Sequence, residues 1–156
     1  MIKVGQEHLN QIRIHAERLY PEECCGLLLG TISTGEKILT QVWETENSWG
    51  EGDAWSFQEI ESAATRGASK GNRFSIAPQV MLQVQKEARD RNLAIIGIYH
   101  SHPDCPAVPS QFDRAIAWQQ YSYIIVSVQQ GGAEDIRSWT LDHNHQFQPE
   151  EIVKQL

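Results

Sequence analysis

The run Leu93-Ala94-Ile95-Ile96-Gly97-Ile98-Tyr99 is apolar throughout and gives way at once to His100-Ser101-His102-Pro103. An apolar stretch of this length, bounded by a polar segment and by proline, is the pattern of a central strand covered on both faces, which demands a sheet with helices packed against it. Successive side chains of a strand alternate, so His100 and His102 share a face and both imidazoles can turn toward one ion. Ten residues lie between His102 and Asp113, and Ser110 stands three positions ahead of that aspartate. Two neutral imidazoles and one carboxylate supply three protein ligands. The fourth tetrahedral position of Zn²⁺ is then left for a water that reacts, the arrangement of a zinc hydrolase.

Other segments supply the rest of a mixed sheet with helices, an α/β chain of the α+β type. Leu9, Ile12, Ala16 and Leu19 recur at helical spacing, which predicts a helix over Gln6 to Tyr20 stopped by Pro21. Cys24 to Leu29 reads as a covered strand closed by Gly30, and Lys37 to Glu46 as its hairpin partner across Ser33-Thr34-Gly35. Phe74 to Ala77 reads as a strand, Pro78 to Arg91 as a helix with proline in its first turn, and Ser110 to Gln120 as a further helix. Strands follow over Tyr121 to Gln129 and Ile136 to Leu141, and a helical turn is expected from Pro149. The segment 48–72 is polar and glycine-rich, with Trp49, Trp55 and Phe57 embedded and a short helix expected over Gln58 to Ala64. A loop of that length inside a domain is usually functional, so it stands as a candidate insertion.

At 156 residues the chain fits one domain over residues 1–156. A net charge of −7, from 13 basic and 20 acidic side chains, repels nucleic acid. The longest apolar run falls well short of the ~20 residues that span a bilayer, and the first residues lack the charged start and apolar stretch of a signal peptide. The sequence therefore predicts a cytoplasmic protein with no nucleic-acid or membrane partner. Cys24 and Cys25 are adjacent, and with Cys105 they make an odd count, which is a poor disulfide framework.

Each part of the site has a plainer explanation when taken alone. A His-x-His is more often a pair of structural or surface histidines, and Ser110-Gln111-Phe112-Asp113 also has the form of a capping box. The two readings of Ser110 are compatible, because a capped helix start is a stiff mount for a ligand one turn in. A carboxylate before one buried strand, a histidine pair leaving another and an aspartate on the next helix can converge at one sheet edge. His143 and His145 form a second pair, but in a polar tract with no correctly spaced third ligand; a solvated turn is expected there.

These residues resemble the JAMM, or MPN-plus, metalloprotease family: a glutamate upstream, His-Ser-His-Pro, then Ser-x-x-Asp with seven residues between His102 and Ser110. The match runs from Pro21-Glu22-Glu23-Cys24-Cys25-Gly26 through Asp113, and the element order over residues 1–141 is similar to that fold, which is related to the cytidine deaminases. The resemblance implies His100, His102 and Asp113 as ligands of one Zn²⁺, Glu23 as the acid that holds the water, and Ser110 as the oxyanion donor. Glu23 rather than Glu22 fits the Glu-x-Cys-Gly register. It also implies cleavage of a peptide or isopeptide bond at the C-terminal tail of a ubiquitin-like protein, in the prokaryotic branch a sulfur carrier for some members. The substrate tail is then extended and Gly-Gly-like. Relatives without the ligands act as non-catalytic scaffolds, which is the alternative reading. A zinc deaminase would need His-x-Glu together with Cys-x-x-Cys; His15-Ala16-Glu17 has the first form, but no Cys-x-x-Cys occurs. Cys105 lies inside the loop between ligands, where a thiol could contact zinc, but an inert loop position is expected.

Overall fold

The computed structural model describes residues 1–50 and 68–155. Its elements run β1 (Ile2–Gly5), α1 (Gln6–Leu19), β2 (Cys25–Ser33), β3 (Glu36–Thr45), α2 (Pro78–Asp90), β4 (Ala94–Pro103), α3 (Gln111–Ile116), β5 (Ser122–Gln129), β6 (Gly132–Leu141), β7 (Phe147–Glu150) and β8 (Ile152–Gln155). The strands form one mixed sheet in the order β7-β6-β5-β4-β2-β3-β1-β8. β4 and β5 are parallel, β1 runs parallel to both neighbours, and the remaining pairs are antiparallel.

The two edge strands are consecutive in sequence, with Glu151 alone between them, so the sheet must curl until its edges meet. Helix α1 lies against the resulting concave side. Its buried stripe of Leu9, Ile12, His15 and Ala16 packs with Ile2, Val4, Leu28, Ile96, Tyr99, Ile124 and Val126 into the main core. The opposite face of β2 and β4 is covered by α2, where Val84 and Ala88 meet Leu27 and Leu29. β4 is therefore sandwiched as its apolar run predicts: Ile96 and Tyr99 face α1, Ile95 and Ile98 face α2. Burying such side chains contributes roughly 1.5–3 kcal/mol each. No helix among the described residues is long and apolar enough to cross a membrane.

Three expected elements differ. The C-terminal segment is not a helical turn but the strands β7 and β8, because β8 finds its partner in β1 at the other end of the chain. Phe74 to Ala77 joins no ladder: Ser75 gives its N–H to the Asn47 side chain and its carbonyl to Ser48. Helix α3 ends at Ile116 rather than Gln120, since Ala117 turns extended and the Trp118 N–H donates to the Tyr123 hydroxyl at 2.7 Å. The helix expected over Gln58 to Ala64 lies outside the described residues, as does most of the candidate insertion.

Gly26 is opposite Tyr99 on the paired strand, and a Cβ there would be driven into the Tyr99 ring. That ring is pinned from its far side, where the hydroxyl pairs with His15 Nδ1 at 2.8 Å. Gly26→Ala is therefore expected to destabilise the protein by about 1–3 kcal/mol through overpacking. Urea unfolding checks this; an unchanged midpoint would show that Tyr99 moves aside freely.

Candidate functional site

β4 delivers the histidine pair by simple alternation. Tyr99 and Ser101 point toward the α1 side, where the Ser101 hydroxyl accepts from the Cys24 N–H at 2.8 Å. His100 and His102 emerge on the other face, and their Nε2 atoms are 3.1 Å apart. Asp113 reaches the same point from α3, with Oδ2 3.0 Å from His102 Nε2 and Oδ1 3.2 Å from His100 Nε2. All three residues are buried.

Local chemistry fixes each of these groups. Ser110 and Asp113 form a full capping box: the Ser110 hydroxyl accepts from the Asp113 N–H at 3.0 Å, and the Ser110 N–H donates to Asp113 Oδ2 at 2.9 Å. The capping and ligand readings of this motif thus coexist. His102 Nδ1 is 2.8 Å from the Pro106 carbonyl, which only accepts, so Nδ1 carries the proton and Nε2 of the neutral ring presents a lone pair. His100 stacks on Phe74 at 4.5 Å between centroids and 21° between planes. Phe74 in turn meets Phe112 edge-on, and Phe112 meets Trp49 the same way.

When the ring is neutral, His102 aims a lone pair at a carboxylate and at a second imidazole, all within hydrogen-bond distance. That convergence is repulsive unless a proton or a cation sits between the groups. The donor set fits zinc: arms of ~2.0 Å in a tetrahedron place ligand atoms ~3.3 Å apart, close to the 3.0–3.2 Å separations of the three side chains. Among the described residues, these three ligand atoms form the one histidine, cysteine or carboxylate cluster with metal-binding spacing. Cys105 is exposed and does not join it. His143 and His145 are exposed in a turn, where His145 Nε2 donates to the Arg114 carbonyl at 2.7 Å.

Electrostatics follow from burial and from the cluster's mixed charges. Burial opposes ionisation of Asp113, but the two histidines outweigh it and hold the carboxyl well below its usual range. Burial lowers His100, whereas Asp113 overcomes burial to raise His102. Glu23 is pushed up to about 8, first by burial and then by the Asp113 charge. Its Oε1 has no hydrogen-bond partner among the described residues. Glu23 lines a cavity of about 200 Å³ together with Arg73, His102, Cys105 and Ser110, so carboxylate, imidazole and hydroxyl face one small space. Cys24 and Cys25 are buried and their thiols raised to about 12, which leaves them inert packing groups.

Asn47 has no signal in the sequence, where it reads as one more polar residue after a strand. The structure buries it beside Glu23 with its amide fully engaged.

A family model describing prokaryotic homologs of the JAB domain matches residues 5–142. The desampylase of Pyrococcus furiosus is 31% identical over 80 residues, which are 51% of this chain and 55% of that protein, so the chain spans about half the length of that curated relative. A solved protein from Desulfitobacterium hafniense superposes with a TM-score of 0.78 at 24% identity, covering 99% of this chain and 93% of its own. One from Salinibacter ruber gives 0.69 at 30% identity, covering 99% and 92%. A JAB1/MPN domain protein from Archaeoglobus fulgidus gives 0.55 at 16% identity, covering 98% and 96%. At 24% and 16% identity, the first and third of these speak to the fold alone.

Proposed function

Because the chain belongs to the JAMM/MPN family through its prokaryotic JAB-domain branch, we propose that it is a zinc-dependent hydrolase of a peptide or isopeptide bond at the tail of a ubiquitin-like protein. The observation that carries this reading is the meeting of His100, His102 and Asp113 within 3.2 Å of one another. Glu23 and Ser110 line the same cavity as His102. The likeness to a desampylase supports an isopeptidase over other hydrolases.

In this reading the two histidines and the aspartate would hold one Zn²⁺, which when bound would supply Lewis acidity and lower the pKa of water at the site. Glu23 would accept a proton from the attacking water and pass it to the departing amine. Among the described residues its Oε1 has no hydrogen-bond partner to give up before it does so. The Ser110 hydroxyl, which accepts from the Asp113 N–H, keeps its own proton to donate to the carbonyl oxygen as charge grows there. Burial of the ligands excludes bulk water and strengthens each of these interactions. A substrate tail of small residues such as Gly-Gly suits so confined a cavity, since the backbone can approach without side-chain clashes. The whole of residues 1–156 is taken as one such catalytic domain, acting in the cytoplasm.

The test is metal content of the purified protein together with cleavage of a ubiquitin-like domain fused through Gly-Gly to a reporter. Bound zinc with no cleavage of any such fusion would leave the scaffold reading standing. Ser110→Ala should keep zinc, because the backbone N–H that holds Asp113 Oδ2 remains. Turnover should fall by roughly 10²–10³ for the lost oxyanion donor, and the cap loss should cost about 1 kcal/mol of stability. Steady-state rates at saturating zinc decide: an unchanged rate removes Ser110 from the chemistry.

A further inference from the structure

Glu23 and His100 share an unusual freedom. Oε1 of the former and Nδ1 of the latter are buried without a hydrogen-bond partner among the described residues. His100 is held at Nε2, toward Asp113 and His102, which leaves the other edge of its ring, like Glu23 Oε1, to be oriented by packing and by the main chain. The Glu23 main chain is gripped on both sides: its N–H donates to the Lys70 carbonyl at 2.7 Å, and its carbonyl accepts from Asn47 Nδ2 at 3.0 Å. The His100 ring lies flat on Phe74, and the neighbours of Phe74 are gripped by the same amide. Asn47 Nδ2 also donates to the Arg73 carbonyl at 2.9 Å, while Oδ1 accepts from the Ser75 N–H at 3.2 Å and the Trp49 N–H at 3.1 Å.

From this geometry we infer that Asn47 is a positioning residue for the centre: one side-chain amide sets the Glu23 carboxylate through its backbone and clamps the His100 ring through Phe74. The choice of residue follows from valence. An amide offers two donors and two acceptor positions in one plane, and here all four are used between three separate chain segments. A carboxylate lacks the donors, a hydroxyl lacks the reach, and an apolar residue would strand four backbone groups in the interior. Neither arm touches substrate, so Asn47 acts only through other residues. The inference rests on the hydrolase reading for Glu23 but not for His100.

Two arms of one experiment separate these dependencies. Zn²⁺ alone is titrated into the metal-free wild type, Asn47→Ala, Phe74→Leu and the double variant, with thermal melts as the folding control. Loosened support of a ligand typically weakens metal binding 10–100-fold, so Asn47→Ala should bind zinc about tenfold more weakly. The double variant should be no weaker than the worse single within about twofold, because both changes act through one ring. Wild-type affinity in Asn47→Ala, or fully multiplicative losses in the double, overturns the His100 arm.

The rate arm uses the Gly-Gly reporter fusion. Asn47→Ala should lower kcat at least about tenfold with KM within about twofold, yet cost less than about threefold when placed on Glu23→Gln. A full additional loss in that background overturns the Glu23 arm. Absence of cleavage by the wild type would instead sink the hydrolase reading, and the zinc titration would still decide the role of Asn47. Should Asn47→Ala fail to fold, Asn47→Asp serves, since it keeps both accepting bonds, the one from Ser75 beside Phe74 among them, and loses the donations to Glu23 and Arg73. It should hold zinc within about threefold while kcat drops about tenfold, and a normal kcat in it overturns the Glu23 arm.

Discussion

Glu23→Gln is expected to leave the protein folded and zinc-loaded while turnover falls by roughly 10²–10⁴, the usual contribution of a positioned general base. The exchange is nearly isosteric and touches neither backbone bond that holds residue 23, the one it donates to the Lys70 carbonyl and the one it accepts from Asn47. What disappears is the anionic oxygen that a water proton needs, one with no hydrogen-bond partner among the described residues. Metal analysis and rates on the reporter fusion check both halves. Zinc loss as severe as that of a ligand variant would make Glu23 a ligand instead of a proton carrier.

The same variant carries a pH signature in the metal-free protein. Burial and Asp113 push the Glu23 carboxyl up to about 8 in the fold, whereas an unfolded glutamate titrates near ~4.3. Between those values the native state binds the extra proton, so stability falls as pH rises through the window and the penalty is complete above it. Glu23→Gln removes that term. Unfolding at pH 5 and pH 8 should show a smaller loss of stability in the variant than in the wild type. A divalent cation at the cluster favours the carboxylate and pulls its pKa back down, so added zinc should flatten the wild-type dependence too.

How much of this was legible in the chain depended on whether the signal was local. The apolar run into His100 declared both a central strand and a shared face, and β4 carries it that way because each side of that strand meets a helix. Ser110-x-x-Asp113 spelled out its own cap, since both hydrogen bonds form within four residues. β1 and β8 were illegible for the opposite reason. Each has four residues, too few to show a period, and each is ordered by a partner at the far end of the chain. Phe74 to Ala77 misled because it alternates like a strand, while its ladder bonds were replaced by those from Asn47 and Ser48. Asn47 itself could not be found: an asparagine after a strand predicts a turn, and its four partners are scattered from residue 23 to residue 75.

His100→Ala should abolish the response to zinc, not merely slow the reaction. Removing one of three donors leaves an imidazole and a carboxylate, too few to hold the ion against water at micromolar concentration, and the change also strips Phe74 of its stacking partner. A ligand that binds only the native state stabilises it by RT ln(1 + [L]/Kd), about 4 kcal/mol at a thousandfold excess over Kd. Added zinc should accordingly raise the melting temperature of the wild type and of Glu23→Gln alike, and leave that of His100→Ala where it was. His143→Gln with His145→Gln, and separately Cys105→Ser, should respond like the wild type, because those side chains are exposed and lie outside the convergent cluster. A zinc-dependent rise that survives in His100→Ala but vanishes in the His143 and His145 variant would move the metal to the solvated turn and leave the buried triad as a hydrogen-bonded network with no ion to hold.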